Sequence, residues 1–213
     1  MATGQFIRNA TYYTGIVFEW NLPAGLTCPG ALACKVIAHR YTGKQVREGA
    51  EFRCYAITAE RFPGVRERRW ENLQYLIDGG IPVIPEECKH IRIHSSGDFY
   101  RQEYFDLWLS LAWSRPDVRF WAFTKSLLFW MARMNSIPKN LILTASYGGK
   151  FDELIDQYKL KSAKVYSKVE DVPAGTPIDT NDDYARTPGV SFALLDNNLF
   201  EDEFVKRHDK FWK

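Results

Sequence analysis

Three cysteines near the start of the chain have the residue type and the spacing of a metal-thiolate site. Cys28, Cys34 and Cys54 follow the pattern C-x5-C-x19-C, in a segment that begins TCPGALAC and ends RCYA. Thiolate sulfur is the usual protein ligand of iron-sulfur clusters and a common ligand of zinc. Zinc sites usually contain one closely spaced cysteine pair, and this pattern has none. The spacing therefore favours an iron-sulfur cluster, with zinc and unliganded thiols as the alternatives.

The fourth cysteine, Cys88, precedes a short apolar strand predicted at residues 91–93. Extended residues rise about 3.3 Å each, so Cys88 would lie up to about 20 Å from His94 at the other end of that strand. We therefore expect Cys88 to lie away from the metal site. The last position of a four-iron cluster would then be open or filled by a group that is not a cysteine.

Three loops that follow predicted strands carry small and polar residues: HSSGDF, TKS and SYGGK. Glycine lets a ligand approach the backbone closely, and each loop leads into a predicted helix N-terminus, which favours anionic groups. The predicted ligand-binding residues are Ser96, Gly97, Asp98, Ser146, Tyr147, Gly148 and Gly149. In the alternative interpretation, Asp98 and Ser126 are helix caps and the glycines are turn residues.

The same loops supply three candidate catalytic residues, His94, Asp98 and Lys125. His94 lies at a strand end, where it could be a cluster ligand or a general acid or base. Alternatively, it has no functional role, and its hydrogen bonds are made within the protein. Lys125 is suited to pair with a carboxylate or phosphate of a ligand, or simply to be solvated. The sequence leaves these alternatives open.

Strands and helices alternate along most of the chain. Strands are predicted at 14–20, 91–93, 119–123, 141–145, 163–167 and 190–195, and helices at 66–77, 101–113, 127–135 and 151–158. Such a repeat favours parallel strands joined by right-handed crossovers. A complete eightfold barrel typically needs about 250 residues. The predicted fold is therefore α/β, a partial or distorted (β/α) barrel of about five to six parallel strands with an N-terminal cysteine-bearing loop.

The chain of 213 residues is predicted to form a single domain, 1–213. Its parts are a cysteine loop at 23–56, β/α repeats at about 91–195 and a charged C-terminal segment at 196–213. Between Cys34 and Cys54 the sequence predicts either an irregular hairpin with a turn at Thr42-Gly43-Lys44 or a long functional loop, and either would bring Cys54 back to Cys34. Because this loop follows the first strand, we expect it to lie beside the three polar loops at the carboxyl ends of the strands, which we call the rim.

Charge and hydropathy suggest a cytoplasmic protein. The net charge of +2 arises from 28 basic and 26 acidic residues, which implies neither a nucleic acid nor an anionic membrane as partner. The apolar runs are too short to span a membrane, and the N-terminus lacks the apolar region of a signal peptide. A basic cluster of Arg61, Arg66, Arg68 and Arg69 beside Trp70 could meet a nucleic acid backbone or form a solvated helix face.

The motifs TCPGALAC, HSSGDF, FWAFTKS and SYGG, in this order, resemble the gene product 88 family of phage and prophage proteins, over roughly residues 20–150. That family looks distantly similar to radical S-adenosylmethionine proteins, in which three cysteines after the first barrel strand hold a 4Fe-4S cluster. The resemblance implies a 4Fe-4S cluster on Cys28, Cys34 and Cys54. The spacing departs from the compact C-x3-C-x2-C loop of those enzymes, which argues against cleavage of S-adenosylmethionine.

Three functional hypotheses follow. The first is a cluster-bearing protein of the host cytoplasm, resembling a radical enzyme, with an unidentified small molecule bound at the rim. The second is a non-catalytic phage structural or interaction protein stabilised by a 4Fe-4S cluster or zinc, with a phage or host protein as partner. The third is a nucleic-acid-processing factor that uses the arginine cluster.

Overall fold

The computed structural model describes residues 4–9, 13, 15–47 and 54–196. The strands are β1 (Ile7–Asn9), β2 (Val17–Trp20), β3 (Val36–Ala38), β4 (Gln45–Arg47), β5 (His90–Ile93), β6 (Arg119–Thr124), β7 (Leu141–Ser146), β8 (Ser162–Tyr166) and β9 (Phe192–Leu195). The α-helices are α1 (Pro63–Ile77), α2 (Gln102–Ser114), α3 (Leu127–Met131) and α4 (Glu153–Gln157). Short 3-10 helices span Tyr55–Arg61, Met134–Ser136 and Val169–Asp171.

Seven strands form one sheet in the order β1-β2-β5-β6-β7-β8-β9. All neighbours are parallel except β1, which is antiparallel to β2. The predicted mixed α/β fold with a mostly parallel sheet is thus confirmed. The barrel is not formed: β1 and β9 lie at opposite edges of the sheet and do not pair with each other. Seven strands, one of them reversed, are fewer than the eight parallel strands that close a (β/α) barrel.

One face of the sheet carries the main hydrophobic core. Alternate strand residues such as Trp20, Ile93 and Phe120 point to it, because successive side chains of a strand face opposite sides. All four α-helices contribute to this core. Their buried contributions include Leu73, Leu76, Phe105, Trp108, Leu109, Ala112, Leu127, Trp130 and Ile155. Phe105, Trp108, Leu109 and Ala112 thus form the apolar face of α2.

The other face of the sheet is covered by the chain segment that leads into β9. Trp121 and Ile142 on this face pack with Ala185 and Phe192. Arg92 also lies on this face, because it alternates with Ile91 and Ile93 along β5. The second face is thus partly polar, and its charged residues must find partners within the protein.

The predicted third and fourth helices are shorter than expected. The helix at 127–135 divides into α3 and a 3-10 turn, and the helix at 151–158 is confined to Glu153–Gln157. Asp152 accepts hydrogen bonds from the amides of Gly148 and Gly149, which delays the start of α4. Lys159 has a φ of 49°, a left-handed conformation that ends the helix.

Within the excursion between Cys34 and Cys54, β3 is antiparallel to β4. Its returning arm is described up to Arg47 and again from Cys54. The charged C-terminal segment lies outside the described residues from position 197 onward. None of the helices in the described ranges has the length and apolarity to cross a membrane.

Candidate functional site

The first two cysteines lie on a segment that packs against the loop after β7. The amides of Leu32 and Ala33 donate to the carbonyl oxygen of Gly148, at 3.3 and 3.1 Å. In return, the amide of Lys150 donates to the carbonyl oxygen of Gly30 at 2.9 Å. These bonds hold the segment between Cys28 and Cys34 at the carboxyl ends of the strands.

The loop after β5 packs against the start of the same segment. Gly97 has a φ of 88°, and a Cβ atom there would lie 2.7 Å from both Leu22 Cβ and Thr27 Oγ1. Glycine adopts this left-handed conformation without strain and leaves room for the contact. The cysteine segment therefore contacts the loops that follow both β5 and β7.

The three thiols of Cys28, Cys34 and Cys54 interact with one another. A hydrogen bond from the Cys54 thiol, and then the ammonium group of Lys125, lower the pKa of Cys34. The same hydrogen bond and burial raise the pKa of Cys54. Burial and the carboxylate of Asp98 raise the pKa of Cys28 to about 12. Of the three cysteines, Cys34 is therefore the one whose thiolate form is favoured, whereas the protonated form is favoured for Cys28 and Cys54.

The thiols are neighbours, but they do not converge on one point. Among the residues that the structure describes, no group of three or more Cys, His, Asp or Glu side chains is placed to hold a metal ion. All three cysteines are partly exposed to solvent. A single ion held by three thiolates would therefore require the segment to adjust.

Cys88 lies elsewhere, as the sequence predicts. It is fully buried before β5, and its sulfur donates to the carbonyl oxygen of His90 at 3.5 Å. Burial raises its pKa to about 11, and its charged neighbours are Arg115, Glu87 and Asp117. None of the groups that influence it belongs to the site of the other three cysteines.

Lys125 and Ser146 contact each other at the carboxyl ends of β6 and β7. The Lys125 ammonium group donates to Ser146 Oγ at 2.5 Å, across the ends of β6 and β7. Lys125 also acts electrostatically on Cys28 and Cys34. This places a cation and a hydroxyl group beside the thiols.

The other predicted rim residues of the third loop have partners in the loop or in α4. Tyr147 donates its hydroxyl proton to Asp156 Oδ1 at 2.7 Å. The amides of Gly148 and Gly149 donate to the carboxylate of Asp152, at 2.8 and 2.9 Å. These groups shape the loop, and their donors are already used.

Asp98 is a structural acceptor. Its carboxylate accepts hydrogen bonds from Thr124 Oγ1 at 2.7 Å and from the amides of Phe99 and Lys125 at 2.7 and 2.9 Å. Burial raises its pKa, and these three hydrogen bonds act in the opposite direction. Ser96 is likewise bound, through its hydroxyl group, to the carbonyl oxygen of Leu22 at 2.9 Å. The interpretation of Asp98 as a structural residue is thus the better one.

His94 is buried beneath the rim. Its Nε2 atom lies 2.8 Å from the hydroxyl oxygen of Tyr104, and its ring contacts Phe99 at a centroid distance of 4.9 Å. Burial, and then the charge of Arg92, lower its pKa to about 3. His94 is therefore neutral at pH 7.

Comparison with known proteins places this arrangement in a family. The family model described as "Gene product 88" matches residues 4–198. The chain belongs to the gene product 88 family. The curated Gene 88 protein of Mycobacterium phage L5 is 27% identical over 126 residues, which are 55% of this chain and 50% of that relative. No solved structure matches the chain.

The family resemblance predicted from the motifs is confirmed. This gene product 88 protein spans about half the length of the phage L5 relative that it matches. The further likeness to radical S-adenosylmethionine proteins rests on the cysteine pattern and stays a prediction.

Sequence reasoning missed a buried ionic network on the second face of the sheet. The guanidinium group of Arg92 donates to the hydroxyl groups of Tyr13 and Tyr55, at 3.0 and 3.1 Å, and pairs with Asp182 at 3.1 Å. Glu19 joins the network through Tyr13 at 3.0 Å. The sequence contains one indication of this network: Arg92 lies between Ile91 and Ile93 in an apolar strand. A charged side chain in such a strand is buried and requires partners.

The basic cluster predicted beside Trp70 is not a common surface. Arg66 and Arg69 are buried, whereas Arg61 is exposed and Arg68 is half-buried. Arg69 pairs with the buried Glu60 at 2.9 Å. Half of the cluster is thus used inside the protein, which removes the main support for a nucleic-acid interface.

Proposed function

We propose that this gene product 88 protein binds a 4Fe-4S cluster through Cys28, Cys34 and Cys54. The observation that carries the proposal is the mutual influence of the three thiols: Cys34 and Cys54 shift each other's pKa, and Cys28 lies within electrostatic reach of both. Cysteines distant along the chain thus meet at the carboxyl ends of the strands. When bound, such a cluster supplies one-electron transfer, and an iron without a protein ligand could also bind a small molecule.

The donor set suits a cluster better than a single metal ion. In a four-iron cluster each cysteine binds a different iron, so the sulfur atoms need not converge on one point. Among the described residues, no group of three such side chains is placed around one ion. The low pKa of Cys34 also favours iron binding, because the thiolate is the ligand form.

Lys125 is expected to place its ammonium group near the negative charge of the thiolates. Its hydrogen bond to Ser146 fixes that position across two strands. Among the predicted rim residues, these two have side chains that bond to each other. We propose that the fourth iron faces them and takes water, one of these side chains or a small chelating molecule.

The direct test is anaerobic expression of the full chain, with analysis of iron, sulfide and zinc. About four irons and four sulfides per chain are expected if one cubic cluster is bound. Cys28→Ser, Cys34→Ser and Cys54→Ser should each lower the iron content. Cys88→Ser is the matched control and should leave it unchanged. Protein with neither iron nor zinc would refute the proposal, and zinc alone would favour a metal-stabilised interaction protein.

A second measurement addresses S-adenosylmethionine. Electron paramagnetic resonance of the reduced cluster is recorded with and without this molecule. We expect an unchanged signal, because the stretched cysteine spacing differs from the compact loop that such chemistry uses. A changed signal, together with release of 5′-deoxyadenosine, would instead make the protein a radical enzyme.

A further inference from the structure

An open cavity of about 310 Å³ lies at the amino ends of β5 and β6. This is the edge of the sheet opposite to the cysteines, because His90 begins β5 and Arg119 begins β6. The cavity is lined by His90, Arg119, Asp183, Arg186 and Thr187. Its volume is at the lower end of the range for sites that hold small molecules.

The charges around this cavity are mainly positive. Two guanidinium groups face one carboxylate, that of Asp183. Arg186 is buried, pairs with Asp183 and lies with its guanidinium carbon 5.6 Å from the ring centroid of Trp121. Arg119 is exposed, and its side chain has no hydrogen bond or ion pair with any described residue. The guanidinium group of Arg186 is therefore fixed, and that of Arg119 has no counter-ion in the part of the chain that the structure describes.

His90 adds a polar atom that needs a partner. Its Nδ1 atom is buried and has no hydrogen-bond partner within the described part of the chain. A buried polar atom without a partner costs free energy, which a bound ligand could recover. Burial, together with the charges of Arg186 and Arg119, lowers the pKa of His90, so its ring is neutral at pH 7.

We propose that this cavity binds the oxyanion group of a small molecule, a phosphate or a carboxylate, through Arg119 and Arg186. Guanidinium groups match both anions with paired, charge-assisted hydrogen bonds. Asp183 opposes the anion and weakens its binding. The cavity lies at the edge of the sheet opposite to the cysteines. Anion binding there can therefore be tested independently of the proposed cluster.

The test is isothermal titration calorimetry of the full chain, at constant ionic strength, with inorganic pyrophosphate and with citrate. Saturable binding is expected for at least one of them. Tighter binding of pyrophosphate indicates a phosphorylated ligand, and tighter binding of citrate a carboxylated one. Arg119→Gln should weaken binding about tenfold, since one charge-assisted interaction is lost. Asp183→Asn should strengthen binding, because it removes the opposing negative charge.

Arg61→Gln is the matched control, because Arg61 is exposed and lies outside the cavity. It makes the same change in net charge and should leave the affinity intact. Bound anion should also raise the pKa of the His90 ring, which nuclear magnetic resonance can follow. The proposal is overturned if neither anion binds saturably, or if Arg119→Gln and Arg61→Gln have equal effects. Thermal unfolding of each variant checks that it is folded.

Discussion

A Cβ atom on Gly30 would lie 2.0 Å from the carbonyl oxygen of Lys125. No side chain can occupy that space unless the backbone moves. The contact joins the cysteine segment to the loop after β6, as the hydrogen bonds to Gly148 join it to the loop after β7. The absence of a side chain at Gly30 therefore helps to set the position of Cys28 and Cys34.

Gly30→Ala should displace the cysteine segment and lower both stability and metal content. We expect a loss of about 1–3 kcal/mol in the free energy of unfolding, the usual cost of forcing extra volume into a packed site. Urea unfolding and iron analysis measure the two effects. Gly64→Ala is the control, because no heavy atom lies within 4 Å of a Cβ placed there. Equal effects of the two substitutions would contradict the packing argument.

In metal-free protein the three thiols should differ in their rates of alkylation. Cys34 has a lowered pKa, so it should be alkylated by iodoacetamide at pH 7 about tenfold faster than Cys28. Cys88 should react only after unfolding, because it is fully buried. Mass spectrometry of each cysteine peptide over time provides the rates.

The ammonium group of Lys125 contributes to the low pKa of Cys34. Lys125→Met should therefore raise that pKa and slow alkylation of Cys34 at pH 7. Lys139→Met, at an exposed position, serves as the control. Reaction of Cys28 at the same rate as Cys34 would show that the thiolate is misassigned.

Arg66→Lys should destabilise the protein. The Arg66 side chain donates to the carbonyl oxygens of Arg40, Tyr41 and Glu60, at 2.6, 2.9 and 2.5 Å. Lysine lacks the planar fork that serves three acceptors. A loss of about 1–3 kcal/mol is expected, because buried acceptors lose their donors.

Urea unfolding measures that loss, and Arg68→Lys, at a half-buried position, is the comparison. An unchanged stability in Arg66→Lys would argue that the arginine is available at the surface. In that case the nucleic-acid hypothesis would regain its basis.

His94 should make stability depend on pH. Its pKa is lowered from 6.5 to about 3 in the folded protein. Between these values the unfolded chain binds a proton that the folded protein does not. Stability should therefore fall as the pH falls below 6.5, by up to about 1.4 kcal/mol per pH unit.

Unfolding by urea between pH 7 and pH 4 tests this expectation. His94→Gln should remove that part of the pH dependence, whereas His39→Gln, at an exposed position, should retain it. A pH dependence that is the same in His94→Gln and in the original protein would contradict the assignment.

The order of strands and helices could be predicted from the sequence because each element has a local pattern. The apolar face of α2 and the short runs around Ile93 and Ile142 depend on residues close along the chain. Helix lengths were predicted less well. The start of α4 is set by Asp152 and the loop glycines, whose hydrogen bonds are not visible as periodicity.

The roles of the polar residues were harder to predict, because they depend on partners distant along the chain. From the sequence, Asp98 is interpreted as a carboxylate exposed to a ligand. Its hydrogen bonds from Thr124 and Lys125 show instead that it is a structural acceptor. Arg66 resembles a surface cation until the carbonyl oxygens of the hairpin are placed around it. The position of the three cysteines followed from the expectation that loops after parallel strands share one edge of a sheet.

The contacts between Gly148 and the cysteine segment also bear on how the protein is made. Synthesis runs from the N-terminus, so Cys28 and Cys34 leave the ribosome long before the loop after β7 exists. At typical rates of translation that delay is on the order of ten seconds. The segment cannot adopt its final position until Ala33 finds the carbonyl oxygen of Gly148. Incorporation of a metal cofactor would therefore follow the completion of most of the sheet.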